Sequence, residues 1–245
     1  MKVLITGTCS GMGRAMALKF LKEKHDVVGI DLTEDNLSLY TDFMHSAGEN
    51  LGSYTHFVAD ISDKSSLPEI PGIEILINNA GIQTPDNSLP EKDIKTNLLG
   101  SIYVTQKYAF QPSIKSVLFN ASVSALNGNE FAGYVASKAG IVGYMKHVAI
   151  ALANRYHATC NAICFGGVST ELNKSVMEDK KLWNRIMNVT PLKRWATPEE
   201  AAEWCYFLTA VNTFCTGQAI NVSGGERNCA DLFVWPDSTE PTESF

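Results

Sequence analysis

Short runs of apolar residues alternate along the chain with longer stretches in which apolar residues recur every three or four positions. Several of the short runs are continuously apolar, as is typical of strands that are covered on both faces. This pattern predicts seven strands, at residues 3–6, 27–30, 56–59, 73–77, 116–119, 158–164 and 219–222.

The intervening stretches have helical periodicity, and the longest helices are expected at residues 12–24, 93–110 and 133–155. Another helix is predicted to begin at Pro198, because Thr197 can cap it and proline suits the first helical position. Residues 63–72 leave too little chain for a full crossover helix. The alternation indicates right-handed βαβ units, so we expect a single-domain α/β fold with a doubly wound parallel sheet and helices on both faces.

The composition is that of an ordinary globular protein, since 45% of the 245 residues are apolar and 19% are charged. The formal net charge of −6 disfavours nonspecific binding to nucleic acid or to an anionic membrane. Neither a membrane span nor a signal peptide is expected from the apolar runs. Six cysteines without a C-x-x-C pair favour reduced thiols and a cytoplasmic location. The histidines lack metal-ligand spacing, so no metal site is expected.

A glycine-rich turn follows the first predicted strand and opens the first helix, with the sequence Thr6-Gly7-Thr8-Cys9-Ser10-Gly11-Met12-Gly13. Glycine lets the backbone approach a ligand closely, and a helix N-terminus offers N–H groups to a phosphate. Asp31 ends the second strand, where a carboxylate can accept hydrogen bonds from the adenosine ribose and would repel a 2′-phosphate. Because the flanking Ser10 and Leu32 are not basic, NAD is favoured over NADP.

A second pattern, Tyr134-x-x-x-Lys138, lies in the longest predicted helix and places both side chains on one face. An ammonium group beside a phenol favours the phenolate, so Lys138 is expected to lower the pKa of Tyr134. Tyr134 would then donate or accept a proton near neutral pH. Taken singly, the glycine turn could simply connect two elements, and the tyrosine and lysine could simply face the core and the solvent.

In this order along the chain, the motifs resemble those of the short-chain dehydrogenase/reductase family, in its short single-domain branch. The resemblance extends from Lys2 to Gly225 and implies a Rossmann-type sheet of about seven parallel strands. It also implies reversible hydride transfer between NAD(H) and a secondary alcohol or ketone. Further matching segments are Asp60-Ile61, Asn78-Asn79-Ala80-Gly81, Asn97, Ser122, Pro191-Leu192-Lys193-Arg194, Pro198-Glu199-Glu200, Thr216-Gly217-Gln218 and Ser223-Gly224-Gly225.

The resemblance implies roles for individual residues. Tyr134 would exchange a proton with the substrate oxygen, and Ser122 would hydrogen-bond that oxygen. Lys138 would bind the nicotinamide ribose, and Asn97 would hold a water that links Lys138 to solvent. The implied cofactor-binding residues are Gly7, Cys9, Ser10, Gly11, Met12, Gly13, Asp31, Leu32, Asp60, Ile61, Asn79, Ala80, Gly81, Tyr134, Lys138, Val168 and Thr170.

Two departures from the family pattern concern the substrate side. Ser122 precedes Tyr134 by twelve residues, one fewer than is common in the family, so Ser124 is a second candidate for the substrate-binding hydroxyl. After the sixth strand, Phe165-Gly166-Gly167 stands where the family usually has Pro-Gly. This change is expected to place an aromatic ring near the nicotinamide.

The sequence divides into a catalytic domain at residues 1–225, with a substrate lid at about 170–197, and a tail at 226–245. The tail has five acidic residues and one arginine, a net charge of −4, and its apolar residues 232–235 are expected to pack at a subunit interface or near the substrate pocket. The family resemblance implies a homodimer or homotetramer. A small-residue surface suited to close helix packing supports this, and consists of Ala136, Ala139, Gly140 and Gly143.

Two other functions remain open from the sequence. One is an epimerase or dehydratase of the same family that acts through a keto intermediate, and the other is a catalytically idle NAD-binding scaffold. The complete set of Ser122, Tyr134 and Lys138 favours an enzyme, with a small-molecule alcohol or ketone as its partner. Reduction of a 3-oxoacyl thioester is one version, which Asp31 disfavours because reductive biosynthesis more often uses NADPH.

Overall fold

The computed structural model describes residues 1–34, 37–46, 50–85 and 89–226, and within them seven strands form one sheet. All strand pairs are parallel, in the order β3-β2-β1-β4-β5-β6-β7. The predicted fold class is confirmed, and each predicted strand is present. The strands are β1 (Lys2–Thr6), β2 (Asp26–Asp31), β3 (Tyr54–Val58), β4 (Ile75–Asn78), β5 (Ser116–Asn120), β6 (Thr159–Phe165) and β7 (Ala219–Val222).

Helices cover both faces of this sheet, as the alternating pattern predicts. The predicted helices at 12–24 and 133–155 are present with ends shifted by only one or two residues. The described α-helices are α1 (Gly11–Lys22), α2 (Leu37–Ser46), α3 (Pro90–Asp93), α4 (Ser101–Tyr108), α5 (Ser124–Asn127), α6 (Ala132–Tyr156), α7 (Lys174–Glu178), α8 (Lys180–Val189) and α9 (Pro198–Tyr206).

The apolar positions of the central strands explain why both faces are covered. Successive side chains of a strand point to opposite faces, so Val3 and Ile5 of β1 join one buried cluster and Leu4 joins the other. The first cluster includes residues of α1 and α9, and the second includes residues of α4 and α6. The carboxyl ends of the strands therefore meet at one edge, where parallel sheets of this type bind ligands.

The predicted helix at 93–110 is interrupted in the structure. A π-helical segment, Ile94–Gly100, lies between α3 and α4. Such segments shift the direction of the following side chains and are frequent at functional sites. The segment 63–72 holds only a short 3₁₀ turn, Lys64–Ser66, whose first residues are capped by the Asp63 side chain. No crossover helix forms there, as its length predicts.

The C-terminal third contains the helical segments expected of a lid, a 3₁₀ turn at Glu171–Asn173 followed by α7 and α8. The predicted start of α9 is confirmed, since Thr197 and Glu200 form a reciprocal capping box. No described helix is long and apolar enough to cross a bilayer. The tail beyond Glu226, with its predicted apolar cluster at 232–235, lies outside the described residues.

Candidate active site

The glycine turn between β1 and α1 has the backbone geometry of a phosphate-binding turn. Gly7 and Gly11 have φ angles of +78° and +51°, in the region that favours glycine. A Cβ at Gly13 would overlap the carbonyl oxygen of Gly7. Ser10 precedes α1 in an extended conformation, and its side chain does not cap the helix. Because the Ser10 side chain does not accept from them, the first N–H groups of α1 can donate to another acceptor, such as a phosphate.

Asp31 is held directly against this turn. The backbone N–H of Cys9 donates to Asp31 Oδ2 (2.9 Å), and the N–H of Leu32 donates to Asp31 Oδ1 (2.7 Å). The Leu32 side chain is exposed. The N–H of Gly7 donates to the carbonyl of Ile30 (2.7 Å), which fastens the turn to β2. The carboxylate thus lies at the strand end where the sequence predicts the adenosine ribose.

The predicted adenine-side pair follows β3, next to β2. The N–H of Ala59 donates to the Asp31 carbonyl (2.8 Å), and Asp60 Oδ1 accepts from the N–H of Ser62 (2.8 Å). Ile61 is buried, and a Cβ at Gly100 would lie 2.9 Å from its Cδ1. Ile61 therefore packs tightly against the end of the π-helical segment, and its contact with adenine stays a prediction.

Asn79 fastens three strand ends together at the carboxyl edge of the sheet. The N–H groups of Asn79 and Ala80 both donate to Thr6 Oγ1 (3.0 Å each), and Asn79 Nδ2 donates to the Thr6 carbonyl (2.9 Å). Asn120 Nδ2 donates to Asn79 Oδ1 (2.8 Å), beside the Met12 sulfur. The Asn79 side chain positions the loop that is expected to line the cofactor.

Asn97 lies fully buried in the π-helical segment. Its Oδ1 accepts from the N–H of Ile82 (2.7 Å), and its Nδ2 donates to the Ile82 carbonyl (2.8 Å) and to Ser137 Oγ (3.0 Å). A Cβ at Gly81 would lie 3.0 Å from Asn97 Oδ1 and 3.5 Å from Lys138 Nζ, so the missing side chain lets both groups approach the loop. The Asn97 side chain therefore holds the Ile82 backbone next to Ser137 of α6. Its role in holding a water stays a prediction.

The structure distinguishes the two candidate serines. Ser124 is fully buried and donates from its Oγ to Ser122 Oγ (2.6 Å). Ser122, at the end of β5, accepts this hydrogen bond and keeps its own proton for another acceptor. Ser122 also shares a hydrogen bond with Tyr134. Ser122 therefore presents the hydroxyl, and Ser124 orients it from behind.

Tyr134 and Lys138 lie one turn apart on α6, as their spacing predicts. Lys138 is buried, its Nζ donates to the carbonyl of Asn120 (2.8 Å), and it lies 5.6 Å from the centroid of the Tyr134 ring. Asn120 ends β5, two residues before Ser122. The fold therefore brings a phenol, an ammonium and a hydroxyl together from one strand end and one helix.

The pKa values of this pair differ from the sequence expectation. Burial raises the pKa of Tyr134 to about 12, while its hydrogen bond with Ser122 acts in the opposite direction. Burial lowers the pKa of Lys138 to about 8. The expectation that Lys138 lowers the Tyr134 pKa is wrong for the protein alone, because the loss of solvent around the phenol outweighs any stabilisation of the phenolate. Tyr134 is therefore a phenol at neutral pH.

Val168 and Thr170 approach the glycine turn from the far side of the cleft. A Cβ at Gly11 would lie 3.5 Å from Thr170 Cγ2. The N–H of Thr170 donates to the Val168 carbonyl (2.9 Å), and Val168 forms a parallel bridge with Ala196. The start of the predicted lid is thus fastened beside the turn that is expected to hold the pyrophosphate.

The expectation for Phe165 is wrong. Phe165 is buried in the core cluster that contains α1 and α9, so its ring does not face the cleft. The aromatic group beside the Gly-Gly turn is Trp195 instead, because a Cβ at Gly167 would overlap its indole ring. The rings of Trp183 on α8 and Trp195 meet edge to face, with centroids 4.9 Å apart.

Sequence reasoning missed Asp93, the last residue of α3. Only 1% of this residue is exposed, and its Oδ1 accepts from the N–H of Thr84 (3.0 Å). Its Oδ2 has no hydrogen-bond partner within the described part of the chain. The Asp93 charge acts to raise the pKa of both Tyr134 and Lys138. Its spacing of four residues from Asn97 was the available signal, since it puts both side chains on one helix face.

Comparisons with known proteins agree with this geometry. The family described as Enoyl-(Acyl carrier protein) reductase matches residues 7–226. The 3-oxoacyl-(acyl-carrier-protein) reductase of Thermotoga maritima is 33% identical over 243 residues, which cover 91% of this chain and 96% of that protein. The glucose 1-dehydrogenase of Gluconobacter oxydans is 28% identical over 247 residues, which cover 91% of each chain.

A solved structure from Agrobacterium tumefaciens, described as a 2-deoxy-d-gluconate 3-dehydrogenase with bound NADP, has the same fold. It superimposes with a TM-score of 0.82 at 26% sequence identity, over 92% of this chain and 95% of that chain. The similarity therefore extends over most of this chain.

Proposed function

The chain belongs to the short-chain dehydrogenase/reductase family, and on that premise we propose that it is an NAD(H)-dependent oxidoreductase that interconverts a secondary alcohol and a ketone. The observation that carries the proposal is the convergence of Ser122, Tyr134 and Lys138 at the carboxyl end of β5. A hydroxyl donor, a phenol and a buried ammonium side by side suit proton transfer to a carbonyl oxygen. The bound nicotinamide would supply or accept the hydride.

Tyr134 would act as the general acid in the reductive direction. With its pKa raised to about 12, the side chain holds its proton at neutral pH and can donate it to the developing alkoxide. Ser122 would donate a second hydrogen bond to the same oxygen. The bond that Ser122 accepts from Ser124 polarises its hydroxyl and directs its proton away from Ser124 (2.6 Å).

Lys138 would keep the region positively charged and positioned. Its bond to the Asn120 carbonyl (2.8 Å) fixes the ammonium beside the tyrosine ring. With a pKa lowered to about 8, Lys138 exchanges a proton easily near neutral pH. In the oxidative direction Tyr134 must lose its proton, so the oxidative rate is expected to rise with pH, whereas the reductive rate does not need this loss.

The choice of NAD rests on the surroundings of Asp31. Its carboxylate is oriented by the N–H groups of Cys9 and Leu32 (2.9 and 2.7 Å), and neither Ser10 nor Leu32 offers a positive charge to a 2′-phosphate. The structure of the Agrobacterium tumefaciens protein described above contains NADP. The preference for NAD is therefore argued from residues of the present chain and not from that structure. The Thermotoga maritima and Gluconobacter oxydans relatives are named for redox reactions at carbon–oxygen bonds. We propose the same class of reaction for this chain, but not the same substrates.

The test follows NADH absorbance with a panel of ketones and secondary alcohols. Tyr134→Phe removes only the hydroxyl and is expected to lower kcat/KM about a thousandfold while NADH binding persists. Tyr156→Phe is the matched control, since it makes the same change on α6 about 33 Å along the helix axis. Unchanged turnover in Tyr134→Phe would overturn the mechanism. NADH binding without turnover of any substrate would favour the idle-scaffold alternative.

A further inference from the structure

A chain of hydrogen bonds runs beneath the two segments that hold Asp31. Thr8 Oγ1 and Tyr54 OH are 2.9 Å apart, and Tyr54 OH lies 3.2 Å from His56 Nδ1. His56 Nε2 lies 3.0 Å from the carbonyl oxygen of Thr33. The chain therefore connects the glycine turn, through two side chains of β3, to the loop that follows β2.

The sequence of β2 is adapted to this chain of bonds. Gly29 lies in the middle of the strand, where glycine is unfavourable. A Cβ at this position would overlap both Tyr54 OH and Thr8 Oγ1. Gly29 pairs with His56, and Asp31 pairs with Val58, so alternation places His56 and Asp31 on one face of the sheet. Gly29 thus leaves the space in which the Thr8–Tyr54 bond forms.

The same two segments hold the Asp31 carboxylate. Cys9, next to Thr8, donates its N–H to Asp31 Oδ2 (2.9 Å). Thr33 donates its N–H and its hydroxyl to Asp31 Oδ1 (3.4 Å each). His56 and Tyr54 therefore support both sides of the carboxylate that is proposed to select the cofactor.

The donors and acceptors of this chain define the protonation of His56. The Thr33 carbonyl can only accept, so His56 Nε2 must carry a proton. In the neutral ring, Nδ1 then accepts from Tyr54, whose oxygen accepts in turn from the buried Thr8.

From this geometry we infer that His56 is a specificity-determining residue for the dinucleotide. It braces Thr33 and, through Tyr54, the glycine turn. It thereby holds the Asp31 carboxylate in the position in which it favours NAD(H) over NADP(H). The inference rests on the proposed function, because it presupposes that the dinucleotide binds at the turn.

The test measures dissociation constants of NADH and NADPH for the full chain. His56→Gln keeps a donor for the Thr33 carbonyl and should stay close to the wild type. His56→Ala removes the donor, and the ratio of the NADPH constant to the NADH constant is expected to fall about threefold to tenfold.

A matched control separates this bracing from a general effect of losing a histidine. The exposed His147→Ala on α6 should follow the wild type. An unchanged ratio in His56→Ala, or an equal fall of the ratio in His56→Gln, overturns the inference. A wild type that binds neither dinucleotide overturns both this inference and the proposed function, whereas binding without turnover counts against the function alone.

Discussion

At the scale of single residues, hydrogen bonds with neighbouring residues orient the reactive groups. Ser124 donates to Ser122 (2.6 Å), and the Asn120 carbonyl accepts from Lys138 (2.8 Å). Asn97 joins the loop after β4 to Ser137 of α6 by three bonds. Such supporting residues need not touch the substrate, but their loss changes the geometry in which Ser122 and Lys138 act.

Replacement of Ser124 tests this support. Ser124→Ala removes the proton that Ser122 accepts, so the Ser122 hydroxyl loses its orientation. We expect kcat/KM to fall about tenfold, with NADH affinity unchanged. The matched control is Ser116→Ala, another buried serine of the same strand region, whose hydroxyl bonds Thr159 (2.9 Å) at the opposite end of β5. Equal losses of kcat/KM in both variants would contradict the orienting role.

His25 predicts a pH dependence of stability that is independent of the active site. It is buried between the rings of Phe20 and Tyr206, its Nδ1 has no partner among the described residues, and burial lowers its pKa. The unfolded chain therefore binds this proton more readily than the folded protein. Stability from the neutral ring is fully present above the unfolded pKa of about 6.5 and is lost as pH falls below it.

His25→Phe is expected to keep the ring packing and remove this loss. Relative to the wild type, its free energy of unfolding should gain more at about pH 5.5 than at about pH 8, because only the wild type loses stability as His25 becomes protonated in the unfolded chain. Denaturant unfolding at the two pH values provides the measurement, with the exposed His147→Phe as the control. A gain that is equal at both pH values would rule out the titration of His25 as its cause.

At the scale of elements, the loop after β6 is shaped by the residue that covers it. The indole of Trp195 lies directly against Gly167, and Trp195 meets Trp183 of α8 edge to face. Thr190 Oγ1, at the end of α8, donates to the Glu226 carboxylate (3.0 Å). The predicted lid is therefore anchored at its base by aromatic packing and by the last described residue.

A side chain at position 167 should displace this anchor. Gly167→Ala places a methyl group in the space of the indole, so we expect the lid base to shift, with lower kcat/KM and a lower Tm. In a Trp195→Ala background the indole is absent, and the same substitution should cost little more. A double-mutant cycle in kcat/KM and Tm measures the coupling. Additive effects would show that Trp195 is not what restricts position 167.

At the scale of the whole molecule, two surfaces suit contact with a second copy. On α6, Ala136, Ala139 and Gly143 are exposed, and nothing lies within 4 Å of a Cβ built at Gly143. A second surface begins in the last turn of α9 and continues after it, and consists of exposed apolar side chains, at Trp204, Phe207, Val211 and Phe214. Large exposed apolar patches mark interaction sites, so the homodimer or homotetramer remains our proposal.

Ala139→Arg tests the α6 surface. A long charged side chain cannot fit between closely packed helices, so light scattering should show a smaller assembly than that of the wild type. Ala139→Ser keeps the small volume and should assemble normally. A wild type that is monomeric at micromolar concentration, or an Ala139→Arg variant of unchanged mass, would rule out this surface as an interface.

The sequence alone determined the features that depend on local pattern. Alternation of apolar runs set the strands and helices, backbone geometry required glycine in the first turn, and a spacing of four placed Tyr134 beside Lys138. It also predicted Asp31 at the correct strand end and the absence of a crossover helix at 63–72. These inferences succeed because each depends on neighbouring residues and on the periods of helix and strand.

Only the tertiary structure decided the features that depend on burial and on contacts between distant segments. It placed Ser124 behind Ser122 as a hydrogen-bond donor, buried Phe165 and packed Trp195 against Gly167. Desolvation, which no local pattern records, raised the pKa of Tyr134. The bonds from Thr8 through Tyr54 and His56 to Thr33 join three segments of the chain, and they exist only because the parallel register of β2 and β3 brings those segments together.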